Sequence, residues 1–338
     1  MESYDYIFAG AGCAGLSLLY YLLESDLKNS KILLIDPQGK SVPNKTWCYW
    51  AEKPLAIHPS ESIYSWNKLS FISKNQKISK SLGELNYYHL NSHDFYKAIF
   101  QKLERFQNVK FIQDEVLTMK EEDDVITVET SKNGKIQTSF AFDSRLKEDN
   151  FKGSANLKQI FTGWRIKTDS PVFNPESLTM MEFPKSASTY FDFFYILPFS
   201  EYEALIEYTA YSKAYIAEKE LKTSLSNYLS ETFGDLSYSI TFQESGMIPM
   251  STKLNLSKNS KRIISLGTAA GWTKASTGYT FHTIQKHCKR IVDSLTKEKI
   301  NEYQFANRRR FSFYDNILLN IAHKLPERLQ DVFLILFN

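Results

Sequence analysis

Tyr6-Ile7-Phe8-Ala9 is an uninterrupted apolar run of the kind that makes a strand buried on both faces of a parallel sheet. It leads into Gly10-Ala11-Gly12-Cys13-Ala14-Gly15, after which Leu16, Leu19, Tyr20 and Leu23 recur at helical spacing. A second apolar run, Ile32-Leu33-Leu34-Ile35, ends at Asp36 and Pro37, so a βαβ unit is complete within 36 residues. Residues 41–89 are aromatic and polar without a long period, a pattern of loops and short strands. From 92 to 107, Phe95, Ile99 and Leu103 share one helical face behind Ser92, a capping residue. Strand-like runs follow at 109–112, 125–128 and 139–142, with Asn133-Gly134 as the hairpin turn between the last two. Residues 159–250 alternate strand-like runs with turns around one helix near 216–232. Ile263-Ile264-Ser265-Leu266-Gly267 predicts a further buried strand, then a glycine-containing loop and a helix over 278–295. The C-terminal segment is helical, with Arg308-Arg309-Arg310 near its start and an apolar, aromatic end from Leu329 to Phe337.

At about 150 residues per domain, 338 residues make one to three domains. Hydrophobic residues at 43% and charged residues at 23% supply an ordinary globular core and argue against a disordered chain. A net charge of only +3 argues against a nucleic-acid partner, which selects for concentrated basic charge. Cys13, Cys48 and Cys288 lie far apart with no CxxC pair and no zinc-ligand spacing, so a reducing compartment and no metal site are expected. No apolar run reaches the 18 residues of a spanning helix, and the N-terminus lacks the basic n-region of a signal peptide. The unusual feature is 24 Phe, 20 Tyr and 5 Trp, which build either a core or a pocket of π-faces for a large, flat or cationic species.

Gly10-x-Gly12-x-x-Gly15 has a strand before it, a helix after it and Asp36 21 residues further on. In that setting Gly10 permits the tight turn, Gly12 lets a pyrophosphate approach the backbone, and Gly15 lets the helix pack closely on the sheet. The helix N-terminus offers free N–H groups to the phosphates. Asp36 is placed to accept from ribose hydroxyls. The fingerprint lies at the extreme N-terminus, and Leu266-Gly267-Thr268-Ala269-Ala270-Gly271 ends a strand more than 250 residues later. Together they favour FAD over NAD, although Thr268 stands where many flavoproteins carry Asp.

These motifs sit in a longer ordered series. It comprises Thr46-Trp47-Cys48-x-Trp50, Phe142-Asp143-Ser144-Arg145, Gln159-x-Phe161-x-Gly163 and Asp169-x-Pro171-x-Phe173-x-Pro175 with Met181-Glu182-Phe183. Tyr195-x-Leu197-Pro198-Phe199, Ala204-Leu205-Ile206-Glu207-x-Thr209 and Gly246-x-Ile248-Pro249-Met250 follow, and Gly267 through Tyr279 completes it. With this series the chain resembles the lycopene cyclases of the bacterial and plant β-cyclase type, over residues 5 to 295. Asn174, Glu182 and Tyr208 depart from the usual pattern, Tyr208 standing where many members place a second acid beside Glu207.

The resemblance implies an α/β fold: a Rossmann-type FAD-binding domain of the two-dinucleotide flavoprotein type, with an inserted β-rich substrate domain and a C-terminal helical segment. The expected divisions are 1–165 (including the aromatic loop region 41–89), 166–254, 255–297 and 298–338. It implies redox-neutral closure of β-rings on the ψ-ends of lycopene, with reduced FAD as cofactor and NAD(P)H as the reductant that keeps it reduced. Gly10, Gly12, Gly15, Asp36, Arg145, Gly267, Ala270, Gly271, Thr277 and Gly278 are the expected cofactor residues. Glu207 is the expected acid–base residue, an ionisable group within Ala-Leu-Ile-Glu; solvent exposure on an edge strand is the plain alternative. Asp169 has a supporting role, though Asp-Ser-Pro also reads as a turn, and Asp169 and Glu244 are the next candidates for the acid. Arg145 read without the resemblance is a surface salt bridge. Trp47, Trp50, Phe193, Phe194 and Trp272 are candidates to line a polyene channel. A lipophilic carotenoid drawn from the inner face of the cell membrane makes a cytoplasmic, peripherally associated protein the expectation, with Arg308 to Arg310, Lys324 and Arg328 facing anionic lipid. The rival readings are a flavin monooxygenase or polyprenyl reductase, and a non-catalytic flavin-binding, membrane-associated protein.

Overall fold

The computed structural model describes residues 2–38, 45–147, 150, 157–185, 188–253, 256, 259–300 and 309–338. β1 (Ser3–Ala9) lies between β2 (Ile32–Ile35) and β11 (Gly134–Asp143), all three parallel. β8 (Val109–Ile112) extends the sheet beyond β2, and β17 (Ile263–Ser265) extends it beyond β11, again in parallel. The order 8-2-1-11-17 is that of a doubly wound nucleotide-binding sheet. The first half of β11 instead pairs with the antiparallel hairpin of β9 (Val116–Glu122) and β10 (Val125–Thr130). Gly134, at φ +69°, makes the turn into β11 that Asn133-Gly134 predicts.

Side chains alternate across this sheet. Phe8, Leu34 and Phe142 face α1 (Cys13–Leu23) and α4 (Phe281–Thr296), which pack on each other through Leu16, Leu19, Ile284 and Ile291. Ile7, Ala9, Leu33, Ile35 and Ala141 face the other way and meet Val116, Ile126, Val128 and Ile136 of the hairpin region. α2 (Ser92–Leu103) stops four residues short of the predicted 107, and its cap is Asn91 rather than Ser92. The Asn91 side chain accepts from the His93 N–H at 2.8 Å, while Ser92 Oγ accepts from the Lys45 N–H at 2.7 Å.

The second sheet runs β16 (Tyr238–Pro249), β12 (Lys158–Thr168), β15 (Glu203–Ser212), β14 (Phe191–Ser200), β13 (Ser177–Glu182), β5 (Lys68–Ile72) and β6 (Lys77–Ser81). Its pairs are antiparallel except β13 with β5. Phe194, Ile196, Ala204, Ile206 and Tyr208 pack under α3 (Glu218–Phe233). Phe191, Phe193, Tyr195, Leu197 and Leu205 face the opposite way, toward α6 (Pro326–Leu336), whose Phe333 stacks on Phe191 at 5.6 Å. α5 (Arg309–Lys324) leads into α6. A small third sheet of β3 (Thr46–Ala51), β7 (Asn86–Asn91) and β4 (Tyr64–Trp66) contributes to the cores of both larger sheets.

Two expected boundaries move. The division at 165/166 falls inside β12, an interior strand of the second sheet that begins at Lys158. The region 41–89, expected as loops and short strands of the first domain, supplies β5 and β6 to the second sheet and β3, β4 and most of β7 to the third. Both depend on pairings between strands distant in sequence, the longest being β5 with β13 (Leu69 with Leu178), which periodicity cannot show.

A Cβ on Gly15 would drive into the backbone carbonyl of Gly10, an atom that no rotamer change can move aside. Gly15→Ala is therefore expected to lower the stability of the nucleotide-free protein by about 1–3 kcal/mol. The urea midpoint measures this, and an unchanged midpoint would mean that α1 and the turn before it shift freely.

Candidate active site

The three glycines after β1 have different surroundings. Gly10 sits at φ +100°, and a Cβ there would stand 2.5 Å from Ser144 Oγ. Gly12 has nothing within 4 Å of the place its Cβ would occupy, so space lies open above the turn. Gly12 is also the N-cap of α1, with no side-chain cap and no acid in the first turn, leaving those N–H groups to an anion. Asp36, at the end of β2, accepts from the Ala11 N–H through Oδ2 and from the Gln38 N–H through Oδ1, both at 2.8 Å. The carboxylate is thus held at the glycine turn.

The 3₁₀ turn Gly267–Ala270 after β17 lies against α1, where a Cβ on Gly267 would meet that of Ala14 at 3.0 Å. Thr268 pairs its hydroxyl with Thr273 at 2.9 Å. Gly271 and Gly278 both have positive φ. The late segment therefore joins the glycine turn in space. Arg145 stands beside Gly10, but its Nε and a terminal nitrogen each meet Asp143 at 2.8 Å and a second terminal nitrogen donates to Val116 O. Its charge is neutralised within the strand end, so the expected cofactor contact by the guanidinium is not prepared.

On the second sheet, Glu207 of β15 and Glu244 of β16 are both in register with Gly163 of β12, the strand between them. Because Gly163 has no side chain, the two carboxyls share one face across an open rung: its absent Cβ would lie 3.5 Å from Glu207 Cβ and from Glu244 Cγ. Glu207 Oε1 accepts from the Thr209 hydroxyl at 2.6 Å. Glu244 Oε2 accepts from the Thr46 N–H at 2.9 Å, while its Oε1 is buried without a partner.

Burial, and then the nearby Glu244 charge, push the Glu207 carboxyl up to about 8. A part of its surface remains accessible, but it is set deep enough to lose most of its hydration. Burial also raises Glu244, opposed by the Thr46 hydrogen bond and the charge of Lys45. Both carboxyls are raised and they stand too close to carry charge together, so the pair retains a proton.

Aromatic groups surround this face. Tyr195, opposite Glu207 on β14, donates to Cys48 Sγ at 3.4 Å. Burial pushes the Cys48 thiol up to about 12, so it stays neutral. The Tyr87 and Tyr279 hydroxyls share a hydrogen bond of 2.5 Å, and Trp50 packs on Tyr87 at 4.4 Å. Phe193 lies on the Glu207 face. Phe194 is on the opposite face, stacked on Tyr228 at 3.9 Å under α3. Trp47 stacks on Phe281 and Trp272 on His287 in the first core. These last three are packing residues.

Asp169 is not brought to the pair. It is exposed just past the end of β12, its N–H donating to Ser237 O. Six residues along a strand put it about 20 Å from Gly163. Asp169 and Ser170 form a bend there. In the sequence Glu244 stands behind Glu207 as a next candidate together with Asp169, marked only by its place just before Gly246-x-Ile248-Pro249, and Tyr87, Tyr195 and Tyr279 carry no expected role.

The model of the lycopene cyclase protein family matches residues 5–336. No curated protein matches the chain in sequence. Among solved structures, a geranylgeranyl bacteriochlorophyll reductase-like protein from Thermoplasma acidophilum aligns at TM-score 0.65 and 12% identity, over 95% of this chain and 84% of that one. A flavin-dependent brominase aligns at 0.63 and 12%, over 99% and 89%. The p-nitrophenol 4-monooxygenase of Pseudomonas putida DLL-E4 aligns at 0.63 and 12%, over 100% and 98%. The likeness shows the fold, which is the Rossmann-type FAD-binding fold with a β-rich second sheet and C-terminal helices.

The Glu207 assignment has a consequence for stability. An ordinary glutamate releases its proton near 4.5 in the unfolded chain, whereas in the fold Glu207 keeps it up to about 8. Above 4.5 the unfolded state binds fewer protons, so this group lowers stability as pH rises through the window and levels off above about 8. Glu207→Gln removes the ionisation, and the variant is expected to match wild type near pH 4.5 and to exceed it most at pH 8. Thermal unfolding across that range tests this; parallel curves would show that the folded chain holds no such proton.

Proposed function

The chain belongs to the lycopene cyclase protein family, and on that premise we propose that it closes β-rings on the ψ-ends of lycopene by redox-neutral acid–base catalysis. The observation that carries this reading is the pair of buried carboxyls flanking Gly163 with unlike surroundings. Glu207, protonated at neutral pH, gives its proton to the terminal double bond. The resulting tertiary cation is captured by the internal double bond, which closes the ring. Glu244, ionised and hydrogen-bonded to Thr46, takes the proton lost from the ring carbon. One proton enters the substrate and one leaves, and transfer from Glu244 back to Glu207 restores the pair. The aromatic walls exclude water, which would otherwise quench the cation, and their π-faces suit positive charge.

The residues present fit FAD. Open space at Gly12, the uncapped start of α1 and the held Asp36 carboxylate suit a dinucleotide. Thr277, whose buried hydroxyl has no partner, marks a further contact in the late segment with Gly267, Ala270, Gly271 and Gly278. When bound and reduced, FAD supplies an electron-rich group near the developing cation, with NAD(P)H as the reductant that keeps it reduced.

Expression in a lycopene-accumulating host with pigment chromatography tests the activity. Wild type is expected to yield cyclised carotenoids without stoichiometric NAD(P)H oxidation, which separates it from a monooxygenase or a polyprenyl reductase. Glu207→Gln and Glu244→Gln are each expected to lose ~10²–10⁴-fold in rate while retaining the flavin spectrum. Near wild-type cyclisation by Glu207→Gln would place the acid elsewhere. A Cβ on Gly12 meets no protein atom, so Gly12→Val is expected to fold and to purify without flavin.

The substrate's lipophilicity motivates peripheral association with the cytoplasmic face of the cell membrane. No described helix is long and apolar enough to cross a membrane. Phe311, Phe313, Tyr314 and Ile317 of α5 and Ile335 and Leu336 of α6 are exposed, near Arg310, Lys324 and Arg328. Arg308 lies outside the described residues. Flotation with anionic liposomes is expected to carry the protein at low salt and less at high salt. No flotation at low salt would remove this part of the reading.

A further inference from the structure

The two oxygens of the Glu207 carboxyl stand in unlike settings. Oε1 accepts from the Thr209 hydroxyl at 2.6 Å. Thr209 is fully buried and lies two residues along β15, hence on the same face of the sheet. In register with it are Phe161 of β12 and Phe193 of β14, whose side chains offer no polar atom. Among the described residues its hydroxyl has no partner other than Glu207. Glu207 Oε2 meets no donor among them, yet it is not shut away. The carboxyl keeps accessible surface, whereas the unpaired oxygen of Glu244 is fully buried.

This geometry decides which oxygen carries a proton. A hydroxyl that donates to Oε1 leaves the acid hydrogen to Oε2. In the reverse arrangement Oε1–H would donate to the threonine oxygen, and the buried Thr209 hydrogen would be left without an acceptor. Held at one oxygen, the carboxyl also loses rotational freedom, so Oε2 keeps one direction. When the proton leaves, Oε1 takes part of the new negative charge, and the hydrogen bond from Thr209 becomes charge-assisted and stronger. Thr209 thus favours the carboxylate formed by proton transfer over the acid it comes from. The same bond opposes the rise that burial and Glu244 impose on the Glu207 carboxyl.

We propose that Thr209 is the positioning residue of the acid, holding Glu207 by Oε1 so that Oε2 carries the proton and presents it to the terminal double bond. The role rests on the cyclisation reading above and names the atom that reacts. In that step the Oε2–H bond breaks as a C–H bond forms, leaving the tertiary cation on the substrate and a carboxylate on Glu207. The other ionisable groups around Glu207 are Glu244, the Cys48 thiol and the Tyr87, Tyr195 and Tyr279 hydroxyls. Burial raises the thiol and all three hydroxyls, so they stay neutral and only Glu244 titrates with Glu207. Lys45 bears on Glu244, and Arg165, two residues beyond Gly163, is paired with Glu203 at 2.8 Å.

The test joins a spectroscopic and a kinetic readout on purified protein. In the infrared, the carbonyl stretch of the protonated Glu207 carboxyl is the band that Glu207→Gln removes. Thr209→Val, which replaces the hydroxyl by a methyl, is expected to move that band to higher wavenumber, and Thr209→Ser to restore it. With lycopene and reduced FAD, Thr209→Val is expected to lower kcat about tenfold, the loss of one hydrogen bond, with KM unchanged. The alkaline limb of its pH profile moves to higher pH, because the bond that lowers Glu207 is gone; Thr209→Ser brings rate and profile back. Thr209→Ala gives the same readouts if the second methyl of valine prevents folding. An unshifted band in both variants that lack the hydroxyl would overturn the Thr209 assignment. So would a raised KM with kcat and pH profile intact, which would make Thr209 part of the substrate's wall. A shifted band in a protein whose wild type cyclises nothing would instead overturn the cyclisation reading, and the catalytic use of the contact with it.

Discussion

Two carboxyl side chains held on one rung of a sheet, with only a glycine between them, set the terms for the rest of the molecule. At that spacing, away from water, both cannot carry charge, so one retains its proton. The arrangement depends on register: slipping β15 or β16 by one residue against β12 would turn a glutamate to the α3 face. Strands of 10 to 12 residues, paired on both sides of β12, hold that register. The pair also opposes folding, since each group loses hydration. The dense aromatic packing on the same face, including Phe191, Phe193, Tyr195 and Tyr211, supplies apolar burial to offset it.

The parts of the fold legible in the sequence are those whose signals are local. The βαβ unit is written in two apolar runs and a glycine turn, and the 125–143 hairpin in one Asn-Gly pair. Glu207 stands out among apolar neighbours and through the family resemblance. Glu244 does not. It is the one buried residue of the twelve in β16, flanked by exposed Gln243 and Ser245, so no alternation marks it. Its burial comes from β3, 198 residues away in sequence, through the Thr46 N–H.

Tyr208 shows how a sequence departure can mislead. Standing where the resemblance places a second acid, it suggests that Glu207 has no carboxylate partner. On a strand, however, residue 208 points away from residue 207. Its hydroxyl donates to Asp192 at 2.7 Å, on the α3 side of the sheet. An acid at 208 would lie behind the sheet from Glu207, whereas Glu244 lies on the same side. The partner is supplied by a neighbouring strand across Gly163, a relationship that only register reveals.

The small third sheet ties the nucleotide half to the acid half. Ser92, at the start of α2, holds the Lys45 N–H and so fixes where β3 begins. The next residue, Thr46, gives its N–H to Glu244, and two further on Cys48 receives the Tyr195 hydroxyl. From the other side, Tyr279 of the cofactor loop bonds Tyr87 of β7, and Tyr211 donates to Ser276 O at 3.5 Å. Removing β3 would therefore leave Glu244 without its N–H donor, while Glu207 would keep the Thr209 hydroxyl. The N–H donor of Glu244 and the sulfur acceptor of Tyr195 thus belong to the junction between the sheets, and the second sheet supplies neither alone.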